Sequence, residues 1–597
     1  KIFFEDKIEL SPIQFPRFWM PVSEVYRIFG SFETAVNGRV SNRITLTSDI
    51  KWQNVVSENI FCFIPGTDSR LADQLIIVEA FYDSTAHVAD LSPGADEACS
   101  ISTLLALARF LKANPPQRTV LLIASAGHAQ SLAGMRELIW SLAANPKDLR
   151  RSEKSLKSMI KSTRAAVKGL QEGFYKQRAE DESEDETQFQ PARDAITERI
   201  KTESDRSSRS LMQLRLNDAN KPNQTLIDQL AHERQLLRRL VWRTSFADNV
   251  LPAEERVILD RLVPEAVEDQ QAILADAEGQ LMLFDSAKNF RGQVKAYDIV
   301  TCVSLHLSSH GDGFGAFNYG WLFPFRPRIN RVSNYSLLDE ALRRAAENTA
   351  KTSDNAHLFK DTLRPSRLSS WQNYFLDRPP LGGEISALAG YHGLSFVTTN
   401  DARAAWGTPY DTFEKIDTAF ACDQSDLVSR IILHLTRNPG LRIADPPRDG
   451  FSTLKGHAKF LRHGELFADK PAPGTILLAY QGPARFYAMV DHMGMFYLKG
   501  VADSKHSFHK VILEGYKFDD QDTSVIWTID KNKTGKAAYR VKMRRQSMET
   551  DLVMFASKGI TLFNLLEPRT FRYLTKVNVI DGRREADPTH YFYSRLD

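Results

Sequence analysis

Residues 74–142 read QLIIVEAFYDSTAHVADLSPGADEACSISTLLALARFLKANPPQRTVLLIASAGHAQSLAGMRELIWSL. Leu75-Ile76-Ile77-Val78 is a short apolar run rich in β-branched residues, the pattern of a strand buried on both faces. A loop with Pro93 and Gly94 follows. Ile101, Leu104, Leu105, Ala108 and Leu111 then recur at helical spacing, and Asn114-Pro115-Pro116 stops that helix. Val120-Leu121-Leu122-Ile123 gives a second buried strand, and Leu132 to Leu142 a second helix. Strand, helix, strand, helix predicts a parallel α/β sheet. In such sheets chemistry collects in loops at the carboxyl ends of strands. Those loops carry Phe81-Tyr82-Asp83, Gly94-Ala95-Asp96-Glu97 and Gly127-His128-Ala129-Gln130.

Outward from this core, residues 297–307 (YDIVTCVSLHL) read as a further strand, followed by Ser308-Ser309-His310-Gly311-Asp312-Gly313. The glycines suit a tight loop whose histidines could reach a cleft. Helices are expected over 337–349 and 427–435, and a strand over 394–398. Residues 1–60, with alternation such as Arg43-Ile44-Thr45-Leu46-Thr47, read as short strands leading into the sheet. Between 146 and 290 the sheet pattern is interrupted by charged sequence. Leu156, Ile160, Thr163, Val167 and Leu170 form a helical stripe there, and Leu226, Leu230, Leu237, Leu240 and Val241 mark another. Pro252 suits the first position of a later helix. An insertion of about four helices follows from this periodicity, with the acidic run 180–186 as a solvated loop or face. From 450 to 597 short apolar runs alternate with turn signals such as residues 530–535, the pattern of a β-sandwich.

The expected organisation is therefore 1–145 and 291–440 as two parts of one α/β domain, 146–290 as a helical insertion, and 450–597 as a β-sandwich domain. A chain of 597 residues is long enough for several domains. Its net charge of +3 gives no support to a nucleic-acid role. No apolar run approaches the ~20 residues of a membrane helix, so no direct span is expected. The chain begins at Lys1, which reads as a processed form or part of a longer polypeptide, and an anchor outside it stays open. Cys62, Cys99, Cys302 and Cys422 form no CxxC pair; Cys62, Cys99 and Cys302 are expected as small core residues. No GxSxG elbow and no phosphate-cradling glycine motif is present.

The succession PGTD (65–68), LADQLIIVEAFYDS (71–84), PGADEA (93–98) and TVLLIASAGHAQSLAG (119–134) resembles the M28 family of zinc amino- and carboxypeptidases. Its loops usually read HYDS, PGADDNASG and GEEQGLLGS. The likeness continues at VSLHLSSHG (303–311) and GTPYDTFEKID (407–417). The resemblance implies a mainly parallel sheet flanked by helices and two zinc ions held by His, a bridging Asp, Glu, a second Asp and a second His, with another Glu as general base. Carried over, the first His falls on Phe81, the bridging Asp on Asp96, the base on His128, the ligand Glu on Ala129, the second Asp near His306, and the last His on Gly407. A phenyl ring and a methyl group cannot coordinate a cation, and catalytic zinc needs about three protein ligands. The inherited two-zinc site is therefore expected to be lost. Asp83 keeps an orienting position whose histidine is gone, and Asp411 and Thr412 keep the family's DT, expected to fix their loop by local side-chain to backbone bonds.

The expected function is a catalytically inactive M28-like subunit, without cofactor, that engages other protein subunits, some membrane-anchored, on the extracytoplasmic side. An alternative is a hydrolase with one zinc at Asp96, His128 and His306, in which Glu97 or Glu384 replaces the missing base. A third reading is an accessory domain of a membrane transporter.

Overall fold

The computed structural model describes residues 20–31, 54–86, 90–174, 189–217, 223–243, 246, 251–318, 332–363, 374–375, 379–441, 451–461, 470–481, 484–502, 510–519, 522–528, 539–542, 548–556, 560–561, 578–580 and 583–585. The residues 43–47, 180–186 and 530–535 singled out in the sequence lie outside these. Within 20–31 the chain forms helix α1 (Val22–Phe29) rather than a strand.

A seven-stranded sheet organises the α/β part. Its strands are β1 (Ile60–Ile64), β2 (Gln74–Phe81), β3 (Thr119–Ser125), β4 (Asp298–His306), β5 (Phe314–Phe317), β6 (Phe359–Lys360) and β7 (Gly393–Thr398), in the order β1-β3-β2-β4-β7-β5-β6. The central strands β3, β2, β4 and β7 are parallel. Strands β1 and β5 join the sheet antiparallel to β3 and β7. Ile76, Val78 and Ala80 point to one face, where they meet Leu104, Leu107 and Leu111 of helix α2 (Cys99–Ala113) in one apolar core. Full burial of each of these Ile, Val and Leu side chains contributes about 1.5–3 kcal/mol. Leu105, expected on that stripe, is 59% exposed on the far side of α2. Cys99 and Cys302 are buried, whereas Cys62 lies exposed on the edge strand β1.

The opposite face carries an unexpected polar row. Glu79 of β2 pairs in register with Ser304 of β4, and Ser304 with Ser395 of β7. The hydroxyls of Ser125 and Ser304 both donate to the Glu79 carboxyl group. These partners let β2 run on to Phe81, beyond the apolar run that ends at Val78. Phe81 is consequently a buried strand residue, not a loop residue, and it shares the face of Glu79. Helix α3 (Ala133–Ala143) follows β3. After α4 (Pro146–Gln171), α5 (Gln190–Asn217), α6 (Gln224–Val241), α7 (Ala253–Val294) and α8 (Val332–Ala350) comes the short helix α9 (Gly382–Leu388). A Cβ on Gly383 would meet the Leu394 backbone at 2.1 Å, so only glycine lets α9 lie this close to β7. Helix α10 (Thr418–Arg437) returns to the first face, where Val428, Ile431, Ile432 and Leu435 join the core.

Helices α4 to α6, and α7 as far as Lys288, belong to a compact unit of their own, Pro146–Lys288 with Asp491–Met493. Its core joins Ala166 and Leu170, Ile196 and Ile200, Leu237 and Leu240, and Leu259 and Leu262 from the four helices. The other unit holds the rest of the chain, including the C-terminal strands.

Nine of those strands are β8 (Phe451–Leu461), β9 (Lys470–Pro471), β10 (Ile476–Gln481), β11 (Ala484–Met489), β12 (Met495–Ala502), β13 (Lys510–Asp519), β14 (Asp522–Thr528), β15 (Tyr539–Lys542) and β16 (Met548–Ala556). They pair antiparallel except for β8 with β16, and hydrogen bonding links them as one nine-stranded sheet. This sheet packs on α3. Trp140 donates through Nε1 to Thr453 at 2.9 Å, and the buried Lys499 ammonium lies 5.5 Å from the Trp140 ring centre. Arg136, also buried, stacks 4.2 Å over the Phe486 ring and donates to the Lys499 carbonyl at 3.3 Å. No helix among the described residues is long and apolar enough to cross a membrane.

Candidate functional site

The carboxyl ends of β2, β3 and β4 deliver Phe81, His128 and His306 to one place. The rings of Phe81 and His128 stack at 3.9 Å between centres with 23° between planes. His306 stands 5.2 Å from His128 and 5.7 Å from Phe81. The loop after β7 adds Trp406, whose ring lies 5.3 Å from His306 and 6.3 Å from Phe81. Four rings therefore occupy the end of the sheet. Ring pairs at such separations contribute about 0.5–1.5 kcal/mol beyond their buried area.

Asp96 sits beside this cluster with both carboxylate oxygens engaged. Oδ1 accepts from the Ser309 backbone N–H at 2.6 Å and from the Cys99 thiol at 3.8 Å. Oδ2 accepts from Trp406 Nε1 at 2.7 Å. Trp406 thus bridges Asp96 and His306, bonding to one and packing on the other. The Asp96 backbone N–H donates to Asp411 Oδ1 at 2.7 Å. Asp411 was expected to act within its own loop; it instead ties that loop to the start of α2.

Burial dominates the electrostatics. It drives the His128 imidazole down to about 3. It also holds His306 well below its ordinary range, with the nearby Arg403 charge and His128 acting the same way. Both rings are neutral at physiological pH. His128 Nε2 and both His306 ring nitrogens are buried without a hydrogen-bond partner. Burial, aided by the Asp96 charge, raises the Cys99 thiol to about 12. Glu97 is raised to about 7 by burial, with Asp411 and Asp83 adding to the effect against hydrogen bonds from Thr85. Its carboxylate accepts from the Thr85 N–H at 2.7 Å. Asp83 receives the His128 backbone N–H at 3.1 Å, so it orients the loop after β3 through main chain.

Of the residues named from sequence, Phe81, His128 and His306 come together in direct ring contact, and Asp96 joins them through Trp406. Ala129 follows His128 as a methyl side chain, and Gly407 follows Trp406 with positive φ, 69°. His310 is exposed. Glu384 is wholly buried on α9. Sequence reading missed Trp406, Ser309, Arg403 and Glu79. Trp406 directly precedes the vacant Gly407 position, and Glu79 is a lone charge extending an apolar run; both were usable signals. Arg403, at φ +47°, donates to the carbonyls of Thr398 (3.0 Å) and His306 (3.4 Å) and so braces the ends of β7 and β4.

Zinc is held by thiolate, imidazole or carboxylate donors. Positions 81, 129 and 407 offer carbon or no side chain, and Asp96 spends both oxygens on protein donors. Among the described residues no group of three His, Cys, Asp or Glu side chains converges as a metal cluster. The residues present do not fit the pair of zinc ions that the resemblance implies.

The model of Peptidase family M28 matches residues 59–210. Over those residues the chain is similar to that family, and its central sheet is mainly parallel with additional antiparallel strands toward the C-terminus. The solved structure of BSAP, a zinc aminopeptidase from Bacillus subtilis, is similar at 12% sequence identity, over 65% of this chain and 53% of that one, with a TM-score of 0.25. The chain thus spans about half the length of that enzyme. No curated protein matches the chain in sequence.

Proposed function

We propose that this chain keeps the M28-type fold as a structural and interaction subunit and has given up metallopeptidase chemistry. The observation that carries the reading is the packed ring cluster of Phe81, His128, His306 and Trp406, with Trp406 donating to Asp96. Hydrolysis at a zinc site needs a ligand set with one position left open for water or substrate. Rings stacked at 3.9 Å leave no room between them for a water. The reading extends to an assembly of protein subunits on the outer side of a membrane. The test is turnover of aminopeptidase and carboxypeptidase substrates with zinc supplied. The expected result is no rate above that of Asp96→Ala. A rate that Asp96→Ala abolishes would refute the proposal.

One observation favours a second reading, a single metal bound by His128, His306 and Asp96. The three buried imidazole nitrogens lack partners, and neutral imidazole is a zinc ligand. Under that reading His306→Ala removes metal binding while Phe81→Leu preserves it.

A further inference from the structure

Four segments meet around the outer side of Asp96. Tyr82 Oη donates to the Glu58 carbonyl at 2.8 Å, joining residues 54–58 to 82–86. A Cβ on Gly94 would meet Ser84 Cβ at 2.5 Å, so 82–86 also touches 90–97. Ser92 Oγ donates to the Gly407 carbonyl at 2.8 Å, joining 90–97 to 407–417. These contacts make one continuous rim at the carboxyl end of the sheet, where ligands of open α/β folds are met.

The outward side chains of this rim are apolar to an unusual degree. Val55 is 74% exposed, Tyr82 41%, Leu91 52%, Tyr410 44% and Phe413 70%. Singly exposed apolar residues need no explanation, but a group of them on adjoining loops marks a contact surface. The charges between them are one-sided. Glu58, Asp90, Glu414 and Asp417 are exposed. Lys415 is the sole cation in the four segments, and it lies 4.7 Å over the Tyr410 ring. An acidic fringe repels phosphate backbones and anionic lipid surfaces. A second copy presenting the same face would set acid against acid.

We propose that this rim docks a segment of another polypeptide that carries basic side chains among aliphatic or aromatic ones. The apolar residues of the partner would cover Leu91, Tyr410 and Phe413, and its cations would meet the carboxylate fringe. The proposal rests on the interaction reading above and assigns it a surface and a partner chemistry. The ring cluster beneath gives the rim a firm floor, since Asp411 and Trp406 of the 407 loop region are both bonded to Asp96.

The test uses the full chain and two short labelled peptides, one alternating lysine with leucine and phenylalanine, the other with glutamate replacing lysine. Fluorescence anisotropy follows binding. The lysine peptide is expected to bind saturably and more weakly as salt rises, and the glutamate peptide not to bind. Phe413→Asp and Leu91→Asp should each weaken binding by about tenfold or more. Trp242→Asp, at an 86% exposed position on the helical unit, should leave it unchanged. Glu58→Lys with Glu414→Lys should shift preference toward the glutamate peptide. Circular dichroism checks that each variant is folded. Equal binding of both peptides, no saturable binding, or binding indifferent to Phe413→Asp would overturn the proposal. Zinc-dependent turnover would refute the non-catalytic reading even if the rim binds; absent turnover with absent binding would remove only the rim.

Discussion

Phe81→Ala probes the ring cluster most simply. Phe81 is 2% exposed and packs on His128 at 3.9 Å, with His306 and Trp406 on its other sides. Truncating a buried phenylalanine costs about 3–5 kcal/mol, because lost transfer energy is compounded by an unfilled cavity. The upper part of that range is expected, since β2 is a central strand and its neighbours are held by long-range bonds. Hydrogen exchange suits a chain with two compact units better than a single melting curve. At about 1.4 kcal/mol per tenfold, amides of β2, β3 and β4 that exchange through opening of this sheet should speed up by roughly several hundredfold to several thousandfold. Amides of α6 and α7, whose core is separate, serve as the internal reference. A loss of under about 1 kcal/mol, typical of surface sites, would refute the packing argument.

Trp406→Phe keeps a ring but removes the donor to Asp96 Oδ2; a loss of about 1–3 kcal/mol is expected in denaturant titration, and no loss would show that the bond is dispensable. Arg136→Met removes the 2.8 Å bond to the Ser131 carbonyl and the 3.3 Å bond to Lys499. Ser131 and Leu132 hold positive φ of 56° and 57°, so exchange in residues 128–133 and in β12 should rise together; a rise in only one would deny Arg136 a shared role. The pH dependence has a defined sign. His128 is lowered from 6.5 to about 3 by burial, so the unfolded chain binds the extra proton between those values. Stability from this group is present above about 6.5 and is lost as pH falls toward 3. His128→Phe should therefore flatten the acid side of a stability profile relative to the native chain. Glu97, raised to about 7, acts oppositely, its contribution falling as pH rises from 4.5 through 7, so the comparison must be made between variants. An unchanged acid limb in His128→Phe would contradict the buried, neutral assignment.

Much of the sheet was legible because its central strands are continuous apolar runs bounded by Pro, Gly and Asn. Those runs mark where the strands lie, though not where each one ends. The reach of β2 to Phe81 was not legible, because Glu79 is an acceptable strand residue only once Ser125 and Ser304 stand beside it, 46 and 225 residues away in sequence. The same limit hid Trp406 and Ser309, which bond to Asp96 across 310 and 213 residues. Spacing within a loop says nothing about such partners. Asp411 shows this from the other side: its local motif suggested a local bond, and its oxygen accepts the Asp96 N–H 315 residues earlier. Periodicity marked helices within 146–288 at 156–170 and 226–241, but no stripe was read on α5 (Gln190–Asn217), although Ile196 and Ile200 of that helix enter the shared core.

The metal content of the purified full chain, measured beside Asp96→Ala after equilibration with zinc, bears most directly on whether ring packing has replaced ligand chemistry. The expected result is no stoichiometric metal in either protein, with both folded. Near-stoichiometric zinc in the native chain that disappears in Asp96→Ala would contradict it.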